Sequence, residues 1–190
     1  LLVTPFLIYP LNCGGKIRIY NLYKRLSKRY NLILLSLIHN EKEEADAGFL
    51  KDIFSQIYTI HPKTSHNDFF FPERYKYSYS QLFIDKLRGI MNDSPVDIVH
   101  IESNELLYLT EYIKYTPVVY TEHDISFISH RNSYYNKGLT DLLFNLSDYL
   151  KLVYYHKKIY KNIDYVVTLS KEDRRVLRAF SPKTKHALIH

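Results

Sequence analysis

The stretch Leu2-Val3-Thr4-Pro5-Phe6-Leu7-Ile8-Tyr9-Pro10-Leu11-Asn12-Cys13-Gly14-Gly15-Lys16-Ile17-Arg18 changes character twice. Leu2 to Tyr9 is a short apolar run with no 3.6-residue period and reads as a strand. Residues 15–30 then place Ile17, Tyr20, Leu22, Tyr23 and Leu26 near helical spacing, with Arg18, Lys24, Arg25, Lys28 and Arg29 on the remaining surface. Between them lies a polar glycine turn, Asn12-Cys13-Gly14-Gly15. A strand that turns through glycine into a helix is the opening move of an α/β fold.

The alternation continues along the chain. Leu32 to Ile38 reads as a second buried strand, and the acidic patch Glu41 to Asp46 suits the first turn of a helix. Ile53 to Ile60 leads into a third strand, and residues 61–76, with Pro62 and Pro72, read as a loop and the best place for an insertion or mobile segment. Helical patterns follow over Ser80 to Met91, 103–114 and 139–162, separated by strands at Val96 to Ile101 and Pro117 to Thr121. Tyr165 to Leu169 is another strand, Ser170 and Asp173 form the start of a capped helix, and Ala187 to Ile189 begins one more strand. Strands separated by helices require crossover connections and hence a parallel sheet. The continuous apolar runs Asp97-Ile98-Val99, Pro117-Val118-Val119 and Tyr165-Val166-Val167 fit strands covered on both faces by helices.

Composition bounds the function. The chain has 190 residues with 46% hydrophobic and 24% charged content, which supports a globular core and excludes a disordered chain. Its longest apolar runs are too short to span a bilayer, and the N-terminus lacks the basic start of a signal peptide. The absence of a starting Met suggests a chain that begins inside a longer protein. Cys13 is the single cysteine, which excludes an internal disulfide and a cysteine metal cage and suits a reducing cytosol. A net charge of +6 favours anionic partners. The basic residues form no compact cluster with interleaved aromatics, so no nucleic-acid partner is expected.

In an open parallel sheet, ligands bind beyond the carboxyl ends of the strands. Here those ends turn polar: Asn12 to Gly15, His39-Asn40, His100 to Ser103, Thr121 to Asp124, and Ser170. Gly14 and Gly15 allow φ > 0 and close approach of a ligand to the backbone, and the helix after them offers free N–H groups suited to phosphate. The pair matches neither G-x-G-x-x-G nor a Walker loop, and a plain tight turn remains the alternative. His123 lies between Glu122 and Asp124, placed for proton transfer or for hydrogen bonding to a hydroxyl. His100 and Glu102 alternate along one strand and share a face, with His100 reading as a buried, satisfied residue. His100, Glu102 and His123 carry no metal-ligand spacing, and no metal site is expected. On 139–162, the stripe Leu142, Leu143, Leu146, Leu150, Val153 and Tyr154 reads as core-facing, or alternatively as a surface that touches anionic lipid.

Several blocks together resemble family 4 glycosyltransferases of the GT-B fold. They are Leu2-Val3-Thr4-Pro5 through Gly14-Gly15-Lys16-Ile17-Arg18 to Leu26, Val96-Asp97-Ile98-Val99-His100-Ile101-Glu102, Pro117 to Asp124, and Ile163 to Asp173. The resemblance implies a Rossmann-like domain with a parallel sheet covered by helices on both faces. It further implies that residues 1–190 form the N-terminal, acceptor-side half of a retaining transferase. That enzyme would pass a sugar from a nucleotide-sugar donor to a glycan or lipid-linked acceptor. No cofactor would be bound by this domain alone, the nucleotide sugar being a substrate.

By the same resemblance, His123 would contact the transferred sugar as the catalytic residue. Gly14 and Gly15 would approach the donor diphosphate, Ser170 would sit at the inter-domain rim, and Glu102, Glu122 and Arg131 would contribute to substrate binding. The family's C-terminal donor-binding domain is the implied partner and is absent from this sequence, so the isolated chain is expected to have little activity. The expected place is the cytoplasm, with peripheral contact at the inner membrane face and a role in envelope polysaccharide synthesis. A non-catalytic subunit of a split transferase and a GT-B sugar-nucleotide epimerase are the alternative readings.

Overall fold

The computed structural model describes residues 1–62, 71–123, 125 and 139–189. Seven strands form one sheet: β1 (Leu2–Thr4), β2 (Ile33–Leu37), β3 (Gln56–Ile60), β4 (Val99–Ile101), β5 (Val118–Glu122), β6 (Tyr165–Thr168) and β7 (Lys185–Leu188). Their order is β3-β2-β1-β4-β5-β6-β7, and every pairing is parallel. The chain winds outward from β1 in one direction and then, from β4, in the other. This is a Rossmann-like α/β sheet, and its switch point lies between β1 and β4.

The first strand is shorter than the apolar run predicts. It stops at Thr4 because Pro5 has no N–H for the ladder. Leu7 and Ile8 still bury completely, now as loop residues in the core beneath α1 (Gly14–Leu26). That core also holds Leu2 and Leu34 from the sheet, Ile19 and Tyr23 from α1, and Leu50, Ile53 and Phe54 from the segment after α2 (Glu41–Asp46). The opposite face is larger. There Val3, Leu35, Val99, Ile101, Val118, Tyr120 and Val166 meet residues from α3 (Gln81–Asp93), α4 (Leu139–Ile159) and α5 (Lys171–Phe180). Both faces are therefore covered, as continuous apolar strands require.

Three local expectations are corrected. Residues 103–114 carry a 3₁₀ segment, Asn104–Tyr112, rather than an α-helix, with five consecutive residues, Leu106 to Thr110, buried. The loop over 61–76 is partly anchored: Phe71 and Tyr75 are core residues, and Glu73–Ser78 is 3₁₀. Residues 63–70 lie outside the described part. On α4 the buried positions among the described side chains are Asp148, Leu152, Tyr155, His156 and Ile159, whereas Leu146, Leu150 and Tyr154 face outward at 48%, 59% and 61% exposure. Leu146, Leu150 and Tyr154 of the expected stripe are thus turned away from the core, where Tyr155 and His156 pack instead, while Val153 is partly buried against it. The side chains of Leu142 and Leu143 lie outside the described part.

Candidate functional site

At the switch point, helix α1 begins directly over the carboxyl ends of β1 and β4. Its N-cap residue, Cys13, makes no side-chain cap hydrogen bond. By contrast Asn40, Ser80 and Ser170 each accept a backbone N–H at the start of α2, α3 and α5. The first turn of α1 therefore keeps its N–H groups available to an anion. Neither Gly14 nor Gly15 has a positive φ, so the expected conformational reason for glycine does not apply. A Cβ at either position would meet nothing within 4 Å. What glycine contributes is an open backbone surface that a ligand can approach.

One helical turn after Gly14, Arg18 reaches down to the sheet. Its Nη1 donates to Glu102 Oε2 at 3.3 Å. The same oxygen lies 3.0 Å from Nε2 of His123, just past the end of β5. Glu102 is 1% exposed, at the end of β4 on the α1 side of the sheet. Its other oxygen, Oε1, has no hydrogen-bond partner and lies 3.5 Å from His100 Nε2. Burial alone would raise the Glu102 carboxyl. The hydrogen bond with His123 and the positive charge of Arg18 outweigh it and, with His100, hold the group below its usual value.

His100 links this carboxylate to α1. Its Nε2 is 2.7 Å from Thr121 Oγ1, and its Nδ1 is 2.5 Å from the Tyr23 hydroxyl. Burial lowers the His100 pKa, opposed by Glu102. Burial also raises the Tyr23 hydroxyl well above its usual value, with Glu102 adding to the rise. Thr4 Oγ1 and Arg18 Nη2 are further buried atoms without a hydrogen-bond partner.

The structure thus brings together Gly14, Gly15, Glu102 and His123, and adds Arg18, Tyr23, His100 and Thr121. Arg18 and Tyr23 were legible in the sequence only as helix residues. The available signal was position: Arg18 stands one turn from Gly14 and so projects from the same side of α1.

Two expected site residues go elsewhere. Glu122 is 1% exposed on the opposite face of the sheet, where its Oε2 accepts from the Tyr160 hydroxyl at 2.9 Å. Burial pushes its carboxyl up to about 7, against the lowering effect of the Tyr120 and Tyr160 hydroxyls and of His123, with Asp173 adding to the rise. Ser170 uses its hydroxyl locally: it accepts the Asp173 N–H at 3.0 Å and donates to Asp173 Oδ2 at 2.6 Å. Arg131 and Asp124 lie outside the described residues. Among the described residues, no group of three or more His, Cys, Asp or Glu is arranged to hold a metal ion, and no helix is long and apolar enough to cross a membrane.

The sequence of residues 13–190 matches the family model described as Glycosyltransferase Family 4. No curated protein matches the chain. The family match covers everything from the α1 turn onward, so the chain belongs to glycosyltransferase family 4.

Proposed function

We propose that this family 4 glycosyltransferase domain forms the acceptor side of a retaining sugar-transfer cleft. In this reading a nucleotide-sugar donor, held by a C-terminal domain, meets a glycan or lipid-linked acceptor at the rim around His123. The observation that carries it is the meeting of two features at one switch point. One is a helix N-terminus with no side-chain cap and two glycines. The other is a histidine at the end of β5, anchored from below by a buried carboxylate. The α1 turn is suited to a donor phosphate, and His123 to a hydroxyl of the transferred sugar.

A phosphate-bearing acceptor at an anionic membrane face, in envelope polysaccharide synthesis, suits the charge distribution. The chain carries a net charge of +6. Lys171, Arg174, Arg175 and Arg178 line one side of α5, beside Leu188, around a cleft of about 440 Å³. Such a row attracts phosphate groups without fixing which sugar is moved.

The test is transfer of labelled sugar from a panel of UDP-, GDP- and ADP-hexoses into a lipid or glycan fraction. It is run with residues 1–190 alone and with the same residues joined to a family donor domain. The joined form is expected to transfer sugar, and His123→Ala to reduce that transfer by about a hundredfold or more. Residues 1–190 alone are expected to be inactive. Full transfer by the His123→Ala form would overturn the assignment of His123.

A further inference from the structure

His123 can meet a substrate hydroxyl in two ways, as donor or as acceptor, and which one depends on where its single ring proton sits. We propose that Tyr23, His100 and Glu102 form a buried positioning relay that fixes this proton on Nε2 and so presents Nδ1 to the cleft as a hydrogen-bond acceptor. The proposal rests on the reading of His123 as the sugar-facing group. It extends that reading by naming the residues that orient the ring and the kind of substrate group it selects.

The relay is read from its two ends. Glu102 is an ionised carboxylate and can only accept, so the His123 nitrogen 3.0 Å from Oε2 must carry the proton. That nitrogen is Nε2. In the neutral ring Nδ1 is then bare, and it has no hydrogen-bond partner among the described residues. The His123 side chain is 29% exposed, enough to meet a ligand at the rim.

At the other end, the buried Tyr23 hydroxyl keeps its proton and lies 2.5 Å from His100 Nδ1, and in the relay the hydroxyl is the donor of that pair. The uncharged His100 ring therefore bears its proton on Nε2. That proton faces Thr121 Oγ1 at 2.7 Å and the otherwise unpartnered Glu102 Oε1 at 3.5 Å. His123 and Arg18 both donate to Glu102 Oε2, and His100 lies beside Oε1 with its nearest partner in Thr121. Moving the proton to the other nitrogen of either ring would place a bare nitrogen towards the carboxylate, which the buried site disfavours.

The consequence is specificity. A substrate hydroxyl that donates to Nδ1 is accepted, whereas a deoxy or fluoro group at the same position leaves Nδ1 without a donor. Glu102, His100 and Tyr23 are positioning residues in this scheme. They touch His123 or each other and need not touch the sugar.

The experiment is a long-range ¹⁵N–¹H correlation spectrum of the 190-residue chain labelled on its histidine rings, recorded where the rings are uncharged. His123 and His100 are each expected to show a protonated Nε2 and a fully bare Nδ1, with no averaging between tautomers. In Glu102→Gln the His123 signals are expected to move to a tautomer average while the backbone amide spectrum stays folded. In Tyr23→Phe the His100 signals are expected to move in the same way.

An averaged His123 in the unaltered chain overturns the relay. So does a His123 unchanged in folded Glu102→Gln. If Glu102→Gln does not fold, Tyr23→Phe decides alone, and an unmoved His100 overturns it. None of these spectra contains a sugar, so failure of the relay and failure of the transferase reading are separate results.

Discussion

Glu102 and Glu122 stand at the carboxyl ends of neighbouring strands, and each is 1% exposed. Their surroundings differ because the side chains leave opposite faces of the sheet. Glu102 faces α1 and meets cationic or ring N–H donors from Arg18, His123 and His100, which hold its carboxyl low. Glu122 faces α4 and α5 and meets the phenols of Tyr160 and Tyr120, and burial carries it up to about 7. One glutamate is therefore a fixed negative charge beneath the start of α1, and the other is a titrating group in a core. Depth alone does not give a buried carboxylate its role. The partners on its face do.

This difference makes opposite predictions for stability against pH. The larger effect belongs to Glu122. Its folded pKa is raised from 4.5 to about 7, so between those values the folded chain holds a proton that the unfolded chain releases. The stabilisation linked to that proton is complete below about pH 4.5 and is lost as pH rises through 7. A shift of this size corresponds to about 3 kcal/mol. Glu122→Gln is expected to remove this fall, so urea unfolding between pH 5 and 8 should give a flatter profile than the unaltered chain. Equal slopes in the two proteins would show that Glu122 is ionised throughout and that the contrast with Glu102 is false.

Glu102 carries the opposite sign. Its folded pKa is lowered, so its contribution is complete above the ordinary carboxylate range and is lost as pH falls through the lowered value. Glu102→Gln is expected to cost about 2 kcal/mol at neutral pH, the scale of hydrogen bonds to a charged group. The cost is expected to shrink as the solution is acidified. The same unfolding series reads it, and a cost independent of pH would mean that the charge of Glu102 contributes nothing to stability and that its packing alone was lost.

The contrast between these glutamates also shows how far the sequence could be read. The parallel sheet and the polar strand ends follow from periodicity and appear in the structure, whereas Gly14 and Gly15 form the first residues of α1 with ordinary φ. The alternation of His100 and Glu102 along the chain places both on one face of the sheet. By the same alternation Thr121 and Glu122 must leave opposite faces of β5. Nothing in the local sequence says which face carries the cleft. That is settled by which face α1 covers, a long-range fact. Ser170 stands beyond the end of β6, and its hydroxyl serves the start of the next helix. Its spacing to Asp173 marked it as a helix cap, and a hydroxyl committed to capping is not left over for a ligand. Arg18 and Tyr23 could not be singled out, since Glu102 lies 84 positions from Arg18 and His100 lies 77 positions from Tyr23 in the chain.

The smallest expected effect tests the Glu122 side most closely. The Tyr160 hydroxyl donates to Glu122 at 2.9 Å and so favours the ionised carboxylate. Removing it leaves burial less opposed, and the Glu122 pKa should rise further above 7. Tyr160→Phe keeps the ring contacts with Tyr120 and Phe180, so packing is nearly conserved. The net cost is expected to be about 1 kcal/mol, typical of one hydrogen bond. It should be larger above pH 7, where the carboxylate is charged, than at pH 5, where the carboxyl is neutral. A cost that is the same at both pH values would assign Tyr160 a packing role only, and the upward shift of Glu122 would then be set by burial without the phenol.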